Sequence, residues 1–187
     1  MRLLKLLPLT AAGLVALLTG SAEAQSAEAQ SAEVHSAQAR EKFSIATTAE
    51  PLFTSPNPKL NANKRVVYHI IRDLLAAGHW ELADRYLSSR YLQHNPNAAS
   101  GRTAVVNFFT QVLKTQPKPM PKQVRMGIVA VIAEADLVVV TYRRMVADPK
   151  VPGGEYATTW FDMWRIKDGK ADEHWDPALL GEVPDLQ

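Results

Sequence analysis

Two short stretches near the C-terminus carry the side chains best suited to chemistry. They are Trp160-Phe161-Asp162-Met163-Trp164-Arg165 and Glu173-His174-Trp175-Asp176, joined across Lys167-Asp168-Gly169-Lys170. A carboxylate beside an imidazole in an aromatic-walled cavity is a workable proton-transfer unit. Burial raises a carboxyl pKa and a cationic imidazole opposes the rise, so together they hold a base near neutral pH. The plainer alternative is a structural Asp–His hydrogen bond that only orients the hairpin, since ion networks also perturb such pairs.

Whether these groups meet depends on the hairpin register. If Asp168-Gly169 is a two-residue type I′ loop, Met163 faces His174 and Asp162 points the other way. If Lys167-Asp168 form a type I turn with Gly169 as a G1 bulge, Asp162 lies opposite His174 and Trp160 opposite Asp176. The second register is the preferred one. It gathers Trp160, Asp162, Trp164, His174 and Asp176 on one face, with opposed Cβ atoms ~5 Å apart. Trp160 and Trp164 then become pocket walls rather than plain core.

The elements that must position this hairpin show in the apolar pattern. Val66, Ile70 and Leu74 recur every four residues, with Val67, Ile71 and Leu75 beside them, which predicts a helix capped by Asn61 or Asn63 and ended at Gly78. A short helix with Trp80, Ala83 and Leu87 on one side follows, then an extended Tyr91-Leu92-Gln93-His94. A third helix opens at Ser100 and buries Val105, Phe108, Phe109 and Val112. Strands are expected at 124–133, 137–146, 156–166 and 171–176. Helices first and an antiparallel meander afterwards give an α+β fold, about three N-terminal helices packed on a curved antiparallel sheet. The middle strands are apolar on both faces, so a second subunit is expected to cover the outer one.

Bulk properties bound the rest. At 187 residues, 47% hydrophobic and 21% charged, the chain has material for one real core. A net charge of +2, with scattered Lys and Arg, does not build a nucleic-acid surface. Zero cysteines removes disulfides and thiolate chemistry. Arg2 and Lys5, an apolar run over 6–18 and Ala22-Glu23-Ala24 read as an export signal over 1–24, shorter than the ~20 residues of a membrane span. The expected location is periplasmic or secreted, with no membrane partner after cleavage. Four SAEAQ-like pentapeptides lead a low-complexity linker over 25–59, broken by Pro51, Pro56 and Pro58, and the domain is expected over 60–187. There is no glycine-rich phosphate loop, and no cofactor is expected. His69 and His79 read as boundary or structural residues and Arg102 as solvated. Arg143 and Arg144 could reach an anionic substrate from one face, but an exposed face is the preferred reading.

The segments Tyr91-Leu92-Gln93-His94-Asn95-Pro96, Asp162-Met163-Trp164-Arg165, Asp168-Gly169-Lys170 and Glu173-His174-Trp175-Asp176 together resemble the SnoaL-like polyketide-cyclase group of the nuclear-transport-factor-2-like superfamily, over about residues 60–180. The resemblance implies a cone of helices wrapped by a curved sheet. It also implies metal-free acid/base chemistry on a carbon acid: isomerisation, aldol-type cyclisation or dehydration of a small carbonyl-containing apolar substrate. By position the cavity base best matches Asp176, with Asp162 as a second ionisable group, His94 facing the cavity as an oxyanion donor and His174 as relay. Trp160, Trp164, Tyr91, Phe109 and Tyr142 are the expected substrate-binding walls. Pro177 departs from the pattern and should end the last strand early. A binding module that holds an apolar ligand in the same pocket is the alternative. A metal site from His94, His174 and Asp162 has no supporting helical spacing.

Overall fold

The computed structural model describes residues 48–182 together with Ser26 and Gln30. The export signal read over 1–24 and most of the linker read over 25–59 lie outside the described residues. Residues 48–146 and 157–182 belong to one compact unit, which carries the helices and nearly all of the sheet. The turn at 147–156 belongs to a second, closed on itself by Asp148 N–H donating to the Gly154 carbonyl.

Helix α1 (Pro58–His69) starts earlier than the periodicity predicts. Asn57, rather than Asn61 or Asn63, is the cap: its side chain accepts from the N–H groups of Lys59 and Leu60. Pro58, read as a breaker, sits at the first helical position, where its missing N–H removes no bond. Upstream, a 3-10 turn over Glu50–Phe53 buries Phe53 completely, its ring edge-on to Tyr68 at 5.4 Å. Ordered packing therefore reaches into residues that look like linker.

Helix α1 runs on without a break as a π-helical segment, Ile70–Ala76. Gly78, at φ +71°, ends it as predicted, and a Cβ there would lie 2.7 Å from the Gln116 carbonyl oxygen. A 3-10 turn at Trp80–Leu82 leads into α2 (Ala83–Tyr86). Helix α3 (Arg102–Asn107) likewise continues as a π segment, Phe108–Val112. Val105 and Phe109 are buried as expected, but Val112 is 68% exposed. The wider i→i+5 turn carries it off the face that Val105 and Phe109 share.

Five strands form one sheet in the order β1-β5-β4-β3-β2: β1 (Leu87–Gln93), β2 (Ile128–Glu134), β3 (Leu137–Ala147), β4 (Glu155–Lys167) and β5 (Lys170–Trp175). The fold is α+β, with the helices packed on a curved sheet. The sheet is mixed, which corrects the expectation of an all-antiparallel one: β1 pairs parallel to β5. A return to the far edge from the helical layer brings β1 in along β5, a long-range pairing that no local pattern encodes. Val67, Ile71, Leu74, Val138, Val140 and Trp164 are fully buried between the two layers.

The β4–β5 hairpin follows neither predicted register. Lys167 pairs with Lys170 across Asp168 (φ +50°) and Gly169 (φ +74°), the two-residue loop that Asp-Gly favours. Ile166 pairs with Ala171, but then Arg165 pairs with Glu173 and Trp164 with His174. The bulge exists, yet it sits at Asp172 inside β5, where the β1 pairing also skips a residue. Ser88 and Arg90 of β1 bond the Asp172 carboxylate there. One extra residue restores the parity, so Asp162, Trp164 and His174 share a face after all.

Candidate active site

Between the helical layer and the sheet lies a cavity of ≈ 410 Å³. Both π segments border it, through Leu74 on one and Phe108 and Phe109 on the other. π-helical turns often occur where a helix is adapted to a site. The sheet contributes Tyr91, Tyr142, Trp160 and Trp164, so all five expected wall residues, Phe109 included, line the cavity.

Strand alternation decides which polar groups enter. On β4, Trp160, Asp162 and Trp164 point inward, and Trp160 Nε1 donates to Asp162 Oδ1 at 3.0 Å. His174 follows from β5, with Nε2 3.4 Å from Asp162 Oδ1 and Nδ1 3.8 Å from Asp176 Oδ2. Strand β5 stops at Trp175, in keeping with Pro177, and leaves Asp176 at its mouth. There Asp176 accepts from Asn95 Nδ2 at 3.0 and 2.8 Å and from the Ala178 N–H at 2.9 Å. The three side chains are almost closed off from solvent, 14% exposed for Asp162, 10% for His174 and 7% for Asp176.

His94 does not join them. On β1 the inward positions are Tyr91 and Gln93, so His94 turns outward. It stacks on Trp175 at 4.5 Å, and its Nε2 lies 3.2 Å from Glu173 Oε2. The expectation that it faces the cavity is corrected by this alternation, and the two-histidine metal set falls with it. Gln93 and Asn95 take the inner positions instead. Reading the period of two onward from Tyr91 would have found both.

Gln93 fixes the state of His174. Its Oε1 lies 2.7 Å from Nδ1, so Nδ1 carries a proton. Nε2 faces the Asp162 carboxylate across 3.4 Å. Two tyrosines complete the lining. Tyr91 Oη accepts from Trp164 Nε1 at 3.2 Å, and burial pushes the Tyr91 phenol above its ordinary range. The buried Tyr142 hydroxyl has no partner in hydrogen-bonding geometry. Burial, then the neighbouring Asp162 carboxylate, holds its pKa well above 10. It is a neutral donor whose neighbouring acceptor is the Asp162 carboxylate.

Among the described residues, Asp162, His174 and Asp176 form a group that could hold a cation, each offering an atom within 4.8 Å of the others. The carboxylates, however, approach opposite nitrogens of one ring, whose lone-pair directions diverge. That geometry suits passing a proton across the imidazole better than gathering three ligands on one ion.

The fold and the cavity define a class: α+β folds with helices packed on a curved sheet over a cavity lined by carboxylates and an imidazole. The chain belongs to the SnoaL-like domain family, whose pattern matches residues 68–174, more than half of the 187. The match takes in β1, β4 and His174, and the family points to small-molecule chemistry of the cyclase or isomerase type. Among solved structures, a candidate polyketide cyclase from Acidithiobacillus ferrooxidans is 16% identical, with 62% of this chain and 86% of that one covered and a TM-score of 0.45. A candidate polyketide cyclase from Bacillus cereus is 13% identical over 71% and 87%, with a TM-score of 0.47. A cystatin-like-fold protein of unknown function from Xanthomonas campestris is 15% identical over 61% and 88%, with a TM-score of 0.44. A search of curated proteins returns no match.

Proposed function

We propose that the protein is an exported acid/base enzyme that removes a proton alpha to a carbonyl of a small, largely apolar substrate and stabilises the enolate for isomerisation, ring closure or dehydration. The observation that carries this reading is the Tyr142 hydroxyl, buried without a hydrogen bond of good geometry beside Asp162, His174 and Asp176 in one apolar cavity. Asp176 is the base, oriented by the Asn95 amide and the Ala178 N–H. His174, with Asp162 beside its Nε2, delivers a proton to the product. Tyr142 donates to the enolate oxygen, where a preorganised donor is worth most in a dry site. Export is supported by the charged, apolar and small-residue order of residues 1–24. A homodimer through the outer sheet face is supported by Phe161, 49% exposed opposite the cavity.

The test is proton exchange. Small ketones and 1,3-dicarbonyls are incubated with the protein in D2O, and loss of the alpha C–H signal is followed by NMR. Exchange above the buffer rate that vanishes in Asp176→Asn, with the fold retained, is the expected result. Bound ligands with no exchange on any carbonyl compound would leave a binding module in its place.

A further inference from the structure

The acid/base cluster uses only one end of the cavity. At the β3 side, Arg144 lines it, and the solvent-exposed Arg125 and Arg143 flank it. The preferred sequence reading places Arg143 and Arg144 on an exposed face, yet Arg144 is held on two sides. Its guanidinium carbon sits 4.4 Å from the centre of the Trp160 ring, and Nη2 lies 2.6 Å from Glu182 Oε1. An arginine stacked on indole keeps its in-plane N–H donors free for a carboxylate. Among the described residues, no hydrogen bond or ion pair engages the side chains of Arg125 or Arg143.

Glu182 displays what this end accepts. Its carboxylate lines the cavity, pairs with Arg144 through one oxygen and takes the Leu179 N–H at 2.9 Å through the other. Those two donors hold its pKa below the ordinary carboxylate range. The segment bearing it is fastened by one side chain: Asn97 Nδ2 donates to the Leu179 and Glu182 carbonyls, and Oδ1 accepts from the Gly181 N–H. Three guanidinium groups against one carboxylate leave a cationic surplus here. At the β4–β5 end, two carboxylates against one imidazole leave the opposite. The cavity is bipolar along its length.

We propose that Arg144, with Arg125 and Arg143, forms a carboxylate subsite in which Glu182 holds the place of a substrate carboxylate, so that the substrate is an amphipathic acid. Its apolar body lies along Trp160 and the phenylalanines. The reactive C–H faces Asp176, and its carboxylate displaces Glu182 from Arg144. The substrate class rests on the acid/base reading above, whereas the subsite does not.

Octanoate and 1-octanol, matched in length and differing in charge, are titrated into the full chain at low salt, with tryptophan fluorescence and calorimetry as readouts. Octanoate is expected to bind at least about tenfold more tightly, the scale of one charge-assisted contact. The ratio should fall to near one in Arg144→Met, and Glu182→Gln should tighten octanoate alone. Equal binding of the two compounds by the unaltered protein overturns the proposal, as does a ratio that survives Arg144→Met. Should Arg144→Met not fold, the double variant Arg125→Gln/Arg143→Gln decides, because those side chains hold nothing else; an unchanged ratio there also overturns it. Asp176→Asn should keep the octanoate preference. If that preference stands while no amphipathic acid exchanges its C–H, the subsite holds and only the acid/base reading fails.

Discussion

Two carboxylate–histidine–tyrosine clusters stand out among the described residues, and they differ in what surrounds the acid. On the helical side Asp73, 2% exposed, accepts from Arg72 Nε and from Tyr86 Oη at 2.6 Å, with His69 Nδ1 3.3 Å away. The cavity cluster has Asp162, His174 and Tyr142, plus a second carboxylate in Asp176, but among the described residues no arginine or lysine is bonded to either acid. In the first, burial pushes the Asp73 pKa up, but the hydrogen bonds from Arg72 and Tyr86 outweigh it and hold it below the ordinary value. Burial and the Asp73 bond push Tyr86 up to about 12. A permanent cation closes that circuit, and no proton has reason to move. In the second, two carboxylates approach one imidazole, and a phenol lies beside one of them. The lesson is that the residue types are nearly the same, and the guanidinium decides between a structural pair and a reactive one.

The comparison breaks most sharply by substitution. Asp176→Asn should lower carbon-acid exchange by about 10²–10⁴-fold, the usual worth of a positioned base, with a small change in the urea midpoint. Asp73→Ala should do the reverse. It strands Arg72 and Tyr86 and should cost on the order of 3 kcal/mol in urea unfolding, with exchange per folded molecule unchanged. A large activity loss in Asp73→Ala at full folding would erase the distinction between the clusters.

Acid should act on the helical cluster in two stages. Burial, then the charges of Arg72 and Arg65, lowers the His69 pKa against the pull of Asp73. Asp73 and Asp172 are lowered too, Asp172 first of all by its hydrogen bond from Arg90. A group with a depressed folded pKa adds stability above its unfolded value and loses it as pH falls through the folded one. Stability should therefore decline as pH drops below about 6.5 through His69, then again below about 3.9 through the two aspartates. His69→Gln should remove the first decline only, as read from urea midpoints across pH.

The smallest effect sharpens the cavity side. Gln93→Leu should release the His174 tautomer, so that the Nδ1 proton seen by ¹⁵N NMR is no longer exclusive. The rate should fall a few-fold, on the order of 1 kcal/mol for one hydrogen bond. An unchanged tautomer would mean that Asp162 alone orients the ring.

Much of this is legible locally. The Val66–Leu75 periodicity marks α1, Gly78 ends it, and Asp168-Gly169 marks the hairpin. The hairpin also illustrates the limit. A bulge in the turn predicts the shared face of Asp162, Trp164 and His174, yet the bulge lies at Asp172, where Ser88 and Arg90 from a strand some 80 residues away bond the carboxylate. Asn57 is hidden among prolines that read as breakers. The resemblance of its segment to a cavity-facing one sends His94 inward, although the period from Tyr91 sends it out.

The sequence by itself determined the α+β class, the family and the residue types of the site. Apolar period, turn chemistry and short motifs are properties of neighbouring residues, and neighbours suffice to read them. The parallel pairing of β1 with β5, the inward places of Gln93 and Asn95, and the grip of Arg144 on Trp160 and Glu182 were decided only by the tertiary structure. Each joins residues dozens of positions apart, and the energy that selects it comes from burial and hydrogen bonds that exist only once the layers have packed.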